Sequence, residues 1–189
     1  MLVERSIYDH VIEIALAIGK NQQLGNPAIE GRHIGPVVSA LQFERVQALI
    51  QAGIEEGATL LLGGPGRPTG FETGYYVQPT IFCDVHNDMR IAREEVFGPV
   101  LSIIPFTDEQ DAIQIANDTP YGLAAYIQTN DAEKAGRVAE KLRAGQVYIN
   151  GSDCAYGSPF GGYKMSGLGR EGGLFGLEDF LEIKVVSRP

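Results

Sequence analysis

The chain has 189 residues, 44% of them apolar and 21% charged, with 15 basic against 24 acidic side chains for a net charge of −9. At about 100–200 residues per domain this is one domain, able to bury roughly 70% of its unfolded surface without disulfide staples. The composition excludes collagenous, disulfide-scaffold and wholly disordered classes, and an acidic balance without a basic stripe argues against a nucleic-acid partner. No apolar run approaches the roughly 18 residues of a membrane span, so no membrane partner is expected. The start, Met-Leu-Val-Glu-Arg-Ser, lacks the basic and apolar regions of a signal peptide. His10, His33 and His86 are scattered, with no metal-ligand spacing, so no metal site is expected. Cys83 and Cys154 read as reduced thiols of a cytoplasmic protein.

In chain order, Ser6 opens a first helix with Ile7, Val11, Ile14 and Ile18 at helical spacing and Gly19 near its end. A loop through Pro27 and Pro36 follows. Ser39 with Gln42 is a capping-box pair for a second helix, whose Phe43, Val46, Ile50 and Ile54 share a face. A short run from Thr59 to Leu62 stops at a Gly/Pro-rich loop, Gly63 to Gly70. Tyr75–Val77 and Thr80–Val85 read as strands broken by Pro79. Val100–Phe106 reads as a buried strand. Thr107 with Gln110 caps a helix to Asn117, and Leu123–Thr129 is a further strand. Asn130 with Glu133 caps a helix bearing Ala135, Val138, Ala139 and Leu142, and Gln146–Asn150 is the next strand. Strand–helix–strand–helix–strand with near-continuous apolar strands predicts a mainly parallel, open twisted sheet covered by helices on both faces. Beyond Asn150 glycine takes over, at nine of the 26 residues from Gly151 to Gly176. The final stretch, Phe180–Val186, alternates apolar and charged residues and predicts a C-terminal edge strand, a site for pairing.

Gly167, Gly169 and Gly172 match a dinucleotide fingerprint literally, but no apolar strand precedes them and no βαβ unit follows. The fingerprint is rejected. The Gly63–Gly70 loop lacks the Lys-Ser/Thr of a P-loop. Cys154 offers a nucleophilic thiol by residue type, but with no base nearby in sequence it reads as a small loop residue, and Cys83 lies in a strand pattern and reads as core. Glu94-Glu95-Val96-Phe97-Gly98-Pro99 is the more informative segment. A carboxylate suits ribose hydroxyls and a phenyl ring suits a flat heterocycle, although the loop enters its strand at the amino end.

Taken together and in order, several segments resemble the NAD(P)-dependent aldehyde dehydrogenase superfamily. They are Leu2–Asp9, Ile34–Ser39, Gly74–Thr80, Glu94–Val100, Asn117–Leu123, Gly145–Asn150 and Ser158–Gly167. The resemblance implies the carboxyl-terminal part of such an enzyme. Residues 1–176 correspond to the catalytic domain, truncated at its amino end, and 177–189 to an oligomerisation tail. It implies that the nucleophilic cysteine and the general-base glutamate lie upstream of Met1, so that no catalytic residue falls in this chain. It implies binding of NAD or NADP, with Glu95 at the nicotinamide ribose hydroxyls and Phe97 against the nicotinamide side. Phe160 then matches the aldehyde tunnel, and the Gly151–Gly157 loop, with Cys154, Ala155 and Tyr156, its closing loop.

The implied reaction oxidises an aldehyde to a carboxylic acid through a cysteine thiohemiacetal, with these residues inactive alone. The implied assembly is a homodimer or homotetramer joined through Phe180–Val186. A non-catalytic remnant or assembly module is the alternative from another class, and a coenzyme A-dependent acylating branch the alternative within the enzymes.

Overall fold

In the computed structural model, which describes residues 1–189, the chain divides into two units, Met1–Asp108 and Glu109–Pro189. The first begins with strand β1 (Leu2–Glu4), a 3₁₀ turn (Arg5–Ile7) and helix α1 (Tyr8–Lys20). Ser6 does not cap α1. Its hydroxyl donates to the Glu4 carboxylate at 2.9 Å, and the capping position falls to Ile7. The buried side of α1 also differs from the spacing argument. Ile7, Ile14 and Ile18 are exposed, while Tyr8, Val11, Ile12 and Ala15 pack on Val3, Ile81, Cys83 and Ile103. The rotation follows from two anchors. The Tyr8 hydroxyl accepts the Asp84 N–H at 2.7 Å and donates to the Ile103 carbonyl at 3.3 Å. At the other end Gly19 lies so close to the sheet that a Cβ would meet Ile81 at 2.6 Å and Leu62 at 2.7 Å.

Helix α2 (Ala40–Glu55) starts where its sequence says, with the Ser39 hydroxyl accepting the Gln42 N–H at 3.2 Å. It buries Val46, Leu49, Ile50, Ala52 and Gly53, whereas Ile54 lies at the exposed edge. Four further strands follow: β2 (Thr59–Leu62), β3 (Thr80–Cys83), β4 (Val100–Ser102) and β5 (Ile104–Phe106). β3 is buried along its whole length, between antiparallel β2 and parallel β4, with Thr80 opposite Val100.

The segment predicted as one strand, Val100–Phe106, is two. It breaks at the fully buried Ile103 and passes from β3 to β1, where Leu2 lies opposite Ile104. Ile103 donates to the Phe82 carbonyl at 2.9 Å and accepts from Val85 at 3.2 Å, which holds the crossover point. Tyr75–Val77 joins no sheet. Pro79 has no N–H to offer a ladder, and the Tyr75 carbonyl is taken by the Val37 N–H at 2.9 Å. A single-turn helix, α3 (Arg90–Arg93), lies between β3 and β4.

The second unit holds α4 (Glu109–Asn117), β6 (Ala124–Ile127), α5 (Ala132–Lys141), β7 (Gln146–Ile149) and α6 (Gly173–Glu178). β6 and β7 pair in parallel from Ala124–Gln146 to Ile127–Ile149. The cap of α5 is Asp131, one residue beyond the predicted Asn130, with its carboxylate accepting the Lys134 N–H at 2.9 Å. The helix's first turn holds the Asp131 carboxyl below its usual range, chiefly through that bond. Lys164, at a φ of 57°, donates from Nζ to the Asn117 carbonyl at 2.8 Å and the Thr119 carbonyl at 3.0 Å, closing the end of α4.

The α/β class holds, and three of the four strand pairs are parallel. The strands divide among three sheets: β1 with β5, β2–β3–β4, and β6 with β7. The predicted C-terminal strand Phe180–Val186 also joins no sheet, and Phe180, Ile183 and Val185 are exposed. An alternating pattern becomes a strand only when another edge answers its N–H and C=O groups, and none of the three sheets of this chain does. No helix is long and apolar enough to cross a membrane.

Candidate functional site

The Glu94–Pro99 loop is built from both ends. On its amino side Arg90 Nε donates to the Glu94 carboxylate at 2.8 Å, one helical turn away. That bond turns the Glu94 carboxyl below its ordinary range. The Arg90 N–H in turn donates to Glu56 at 2.7 Å, which ties α3 to the end of α2. On the carboxyl side the Thr80 N–H donates to the Pro99 carbonyl at 2.9 Å, the first rung of the β3–β4 pairing.

Between these anchors the loop presents Glu95 and Phe97 to solvent, with Phe97 74% exposed. Phe97 stands at a φ of 54°, the left-handed region, which costs a bulky residue of the order of 1–3 kcal/mol and persists only where the surroundings impose it. Here they do. Gly98 beside it lies close to α2, where a Cβ would be 2.9 Å from a Val46 methyl. The Gln42 side chain, from the first turn of α2, donates to both the Val96 and the Phe97 carbonyls at 3.1 Å. The result is a carboxylate and an aromatic ring two residues apart, aimed outward from a held backbone.

In the second unit, the residues from Gly151 to Gly157 are all exposed, so Cys154, Ala155 and Tyr156 stand on one open loop. Cys154 reaches back to β7, where Gln146 Nε2 approaches its sulfur at 3.9 Å. Tyr148 donates to Gln146 Oε1 at 3.0 Å and stacks on Tyr126 with centroids 5.1 Å apart. Its phenol is pushed up to about 12, first by the hydrogen bond with the Cys154 side chain and then by desolvation. Phe160 is 45% exposed and fixed by a pair of backbone bonds with Glu171, both 2.7 Å. The structure thus groups Glu95 with Phe97, and Cys154 with Ala155 and Tyr156. Phe160 follows that loop on its own bridge.

Cys83, by contrast, is buried in β3 and its thiol is pushed up to about 11 by burial and by Asp84. That is the wrong direction for a nucleophile. The glycines at 167, 169 and 172 follow a 3₁₀ turn (Lys164–Ser166) rather than a strand, consistent with rejecting the fingerprint. The contact of Gln42 with this loop escaped the sequence reading. Three residues after a capping serine, Gln42 reads as the reciprocal half of a capping box, yet its amide turns to the loop instead.

Residues 1–186 match the aldehyde dehydrogenase family. The chain belongs to that family. Among curated relatives, a 3-succinoylsemialdehyde-pyridine dehydrogenase from a Pseudomonas species is 51% identical over 98% of this chain and 39% of its own length. Among solved structures, the aldehyde dehydrogenase of Bartonella henselae superposes with a TM-score of 0.94 at 54% identity, over 96% of this chain and 38% of its own. A mutant of aldehyde dehydrogenase C from Pseudomonas syringae, solved with NAD+ and octanal, superposes at 0.93 with 48% identity, over 96% of this chain and 38% of its own. The chain spans about two fifths of the length of the curated aldehyde dehydrogenases it matches.

Proposed function

We propose that these residues form the cofactor-facing loop, the substrate loop and the assembly tail of an NAD(P)-dependent aldehyde dehydrogenase that oxidises an aldehyde to its carboxylic acid. The observation that carries this reading is the Glu94–Pro99 loop: an exposed carboxylate and an exposed ring on a backbone held by Gln42, Arg90 and Thr80. The donor set fits a nicotinamide nucleotide. Glu95 accepts hydrogen bonds from the ribose hydroxyls, and the Phe97 ring packs beside the flat nicotinamide. When bound, NAD or NADP supplies the hydride acceptor. What this chain contributes is position, since reacting groups gain most when held before the reaction begins.

The nucleophilic thiol lies outside these residues in this reading: Cys83 is buried and Cys154 stands on an open loop. It forms the cysteine thiohemiacetal with the aldehyde. Phe160 and the loop carrying Cys154, Ala155 and Tyr156 line the aldehyde entry, with apolar packing rather than acid–base work as their role. Residues 1–176 belong to the catalytic domain. Residues 177–189 form the tail, whose exposed Phe180, Leu181, Ile183, Val185 and Val186 pair with a second subunit in a homodimer or homotetramer. Two unpaired thiols fit a reducing compartment, the cytoplasm.

The full-length protein carrying these residues should reduce NAD+ or NADP+ when given an aldehyde, and residues 1–189 alone should not. Reduction by residues 1–189 alone would refute the division of labour. No reduction by the full-length protein with any aldehyde would leave assembly as the function.

A further inference from the structure

The β6–β7 ladder keeps one register to its end: the Gln146 N–H donates to the Leu123 carbonyl at 3.2 Å and the Asn150 N–H to the Ile127 carbonyl at 2.8 Å. In a parallel ladder the next two rungs of that register would join the Thr129 N–H to the Asn150 carbonyl and the Ser152 N–H to the Thr129 carbonyl. The chain makes other bonds. The Thr129 N–H donates to Asn150 Oδ1 at 3.0 Å, and Asn150 Nδ2 donates to the Thr129 carbonyl at 2.9 Å. One side-chain amide thus stands in for two main-chain rungs. Thr129 is itself held from the other side, where its hydroxyl accepts at 3.2 Å the N–H of Asp131, the residue that caps α5.

The main chain, released from the ladder, turns back. Asn150 and Gly151 have φ of 52° and 75°, and the Ser152 N–H donates to the Ile149 carbonyl at 3.0 Å. Two consecutive positive φ values with that bond mark a type I′ turn, for which Asn-Gly is a favoured pair. A reversed chain runs back along β7, and Cys154 accordingly meets the buried Gln146 amide at 3.9 Å.

We infer that Asn150 is a positioning residue for aldehyde selection: its side chain completes the β6–β7 ladder, which fixes the direction in which the Gly151–Gly157 loop leaves the sheet. The inference rests on the reading of that loop as a wall of the aldehyde entry. The Asn-Gly pair favours the turn by itself, but a turn does not set its own angle to the sheet. Two bonds to one residue of the neighbouring strand do. Without them the turn persists and pivots at the end of β7, and Cys154, Ala155 and Tyr156 swing with it. Aldehydes large enough to touch the loop then lose kcat/KM relative to those that are not, by the fraction of molecules still holding the competent loop. Loss of two neutral hydrogen bonds at an exposed site corresponds to about a fivefold change.

The test uses the full-length enzyme with three variants. Asn150→Gly tolerates the positive φ and removes both side-chain bonds. Asn150→Asp also tolerates the turn. It keeps an acceptor for the Thr129 N–H and loses the donor to the Thr129 carbonyl. Phe160→Ala serves as the independent check on the aldehyde entry. Three readouts apply: amide hydrogen exchange at Thr129 and across residues 151–157, kcat/KM for a short, a long and an aromatic aldehyde, and NAD+ affinity by fluorescence titration.

In Asn150→Gly, exchange should quicken at Thr129 and across 151–157. The ratio of kcat/KM between the long or aromatic aldehyde and the short one should shift about fivefold, with NAD+ affinity unchanged. In Asn150→Asp, Thr129 should stay protected while the aldehyde ratio shifts in the same direction. Unchanged exchange in Asn150→Gly would overturn the inference, because the side chain would not be holding the loop. Faster exchange with an equal fall in kcat/KM for all three aldehydes would also overturn it, as the mark of a merely structural residue. Faster exchange with unchanged aldehyde ratios, while Phe160→Ala shifts them, would overturn the inference and leave the aldehyde entry in place at Phe160. Unchanged ratios in all three variants would remove the aldehyde reading of this region and the inference with it.

Discussion

Replacing Thr80 by valine isolates one polar interaction at the centre of the first unit. Thr80 is 1% exposed at the start of β3. Its hydroxyl donates to the Gln78 carbonyl at 2.8 Å and accepts the Gly64 N–H at 3.1 Å, so it fastens the Gly/Pro-rich loop to the sheet. Valine fills the same volume, so no cavity term arises. What remains is the Gly64 N–H, buried and without its acceptor, at a cost of about 1–3 kcal/mol, together with one lost donor to Gln78 worth roughly 0.5–1.5 kcal/mol. Thr80→Ser keeps the hydroxyl and removes a methyl, which should cost only about 1 kcal/mol. Urea denaturation should therefore rank the native protein above Thr80→Ser and Thr80→Ser above Thr80→Val, with hydrogen exchange at Gly64 accelerated only in the valine variant. A valine variant at least as stable as the serine one would refute the reasoning, because packing rather than the hydroxyl would then govern the site.

Other consequences can be checked separately. Phe160→Ala should alter the order of preference among short, long and aromatic aldehydes, by roughly tenfold between extremes, since apolar pockets discriminate by about 1–3 kcal/mol per small change in size; a uniform fall in kcat/KM across all aldehydes would mark it as a folding residue. Thiol labelling of the native protein at neutral pH should modify exposed Cys154 and spare buried Cys83 until the chain unfolds. The Cys83 thiol is held up at about 11 against an ordinary 9.0, so its contribution to stability is complete below pH 9 and is lost as pH rises through the folded value; a Cys83→Ala variant should show a shallower loss of stability across that alkaline window. Deleting Phe180–Pro189 should lower the mass of the full-length protein in solution by sedimentation, and an unchanged oligomer would remove the tail from the interface.

Legibility in the sequence varied with the kind of force involved. Where one local interaction decides, the reading held: Ser39 caps α2, Cys83 is core, and the Ala135 face of α5 is the packed one. Where distant groups decide, it did not. The buried side of α1 was set by the Tyr8 hydroxyl finding Asp84 and Ile103, far away in sequence, and a period of 3.6 has no way to choose between two adjacent apolar stripes. Val100–Phe106 is uniformly strand-like, so nothing in it marks Ile103 as the point where pairing changes hands. Asn130 and Asp131 are both good caps, and the choice between them rests on where the preceding strand ends.

The site followed the same division. Glu95 and Phe97 stand out as exposed chemistry in a motif, and the family match covers them. Gln42 shows its role only once the fold brings α2 under a loop more than fifty residues later.

The most direct test of the cofactor wall is Glu95→Gln in the full-length enzyme, with NAD+ affinity and the single-turnover hydride step measured together. The substitution keeps the shape and replaces a charged acceptor with a neutral amide at a ribose hydroxyl. Charge-assisted bonds contribute about 1.5–3 kcal/mol, which corresponds to roughly a ten- to hundredfold loss in productive cofactor binding and hydride transfer. Unchanged cofactor affinity with an unchanged hydride step would contradict the account and take Glu95 out of the site.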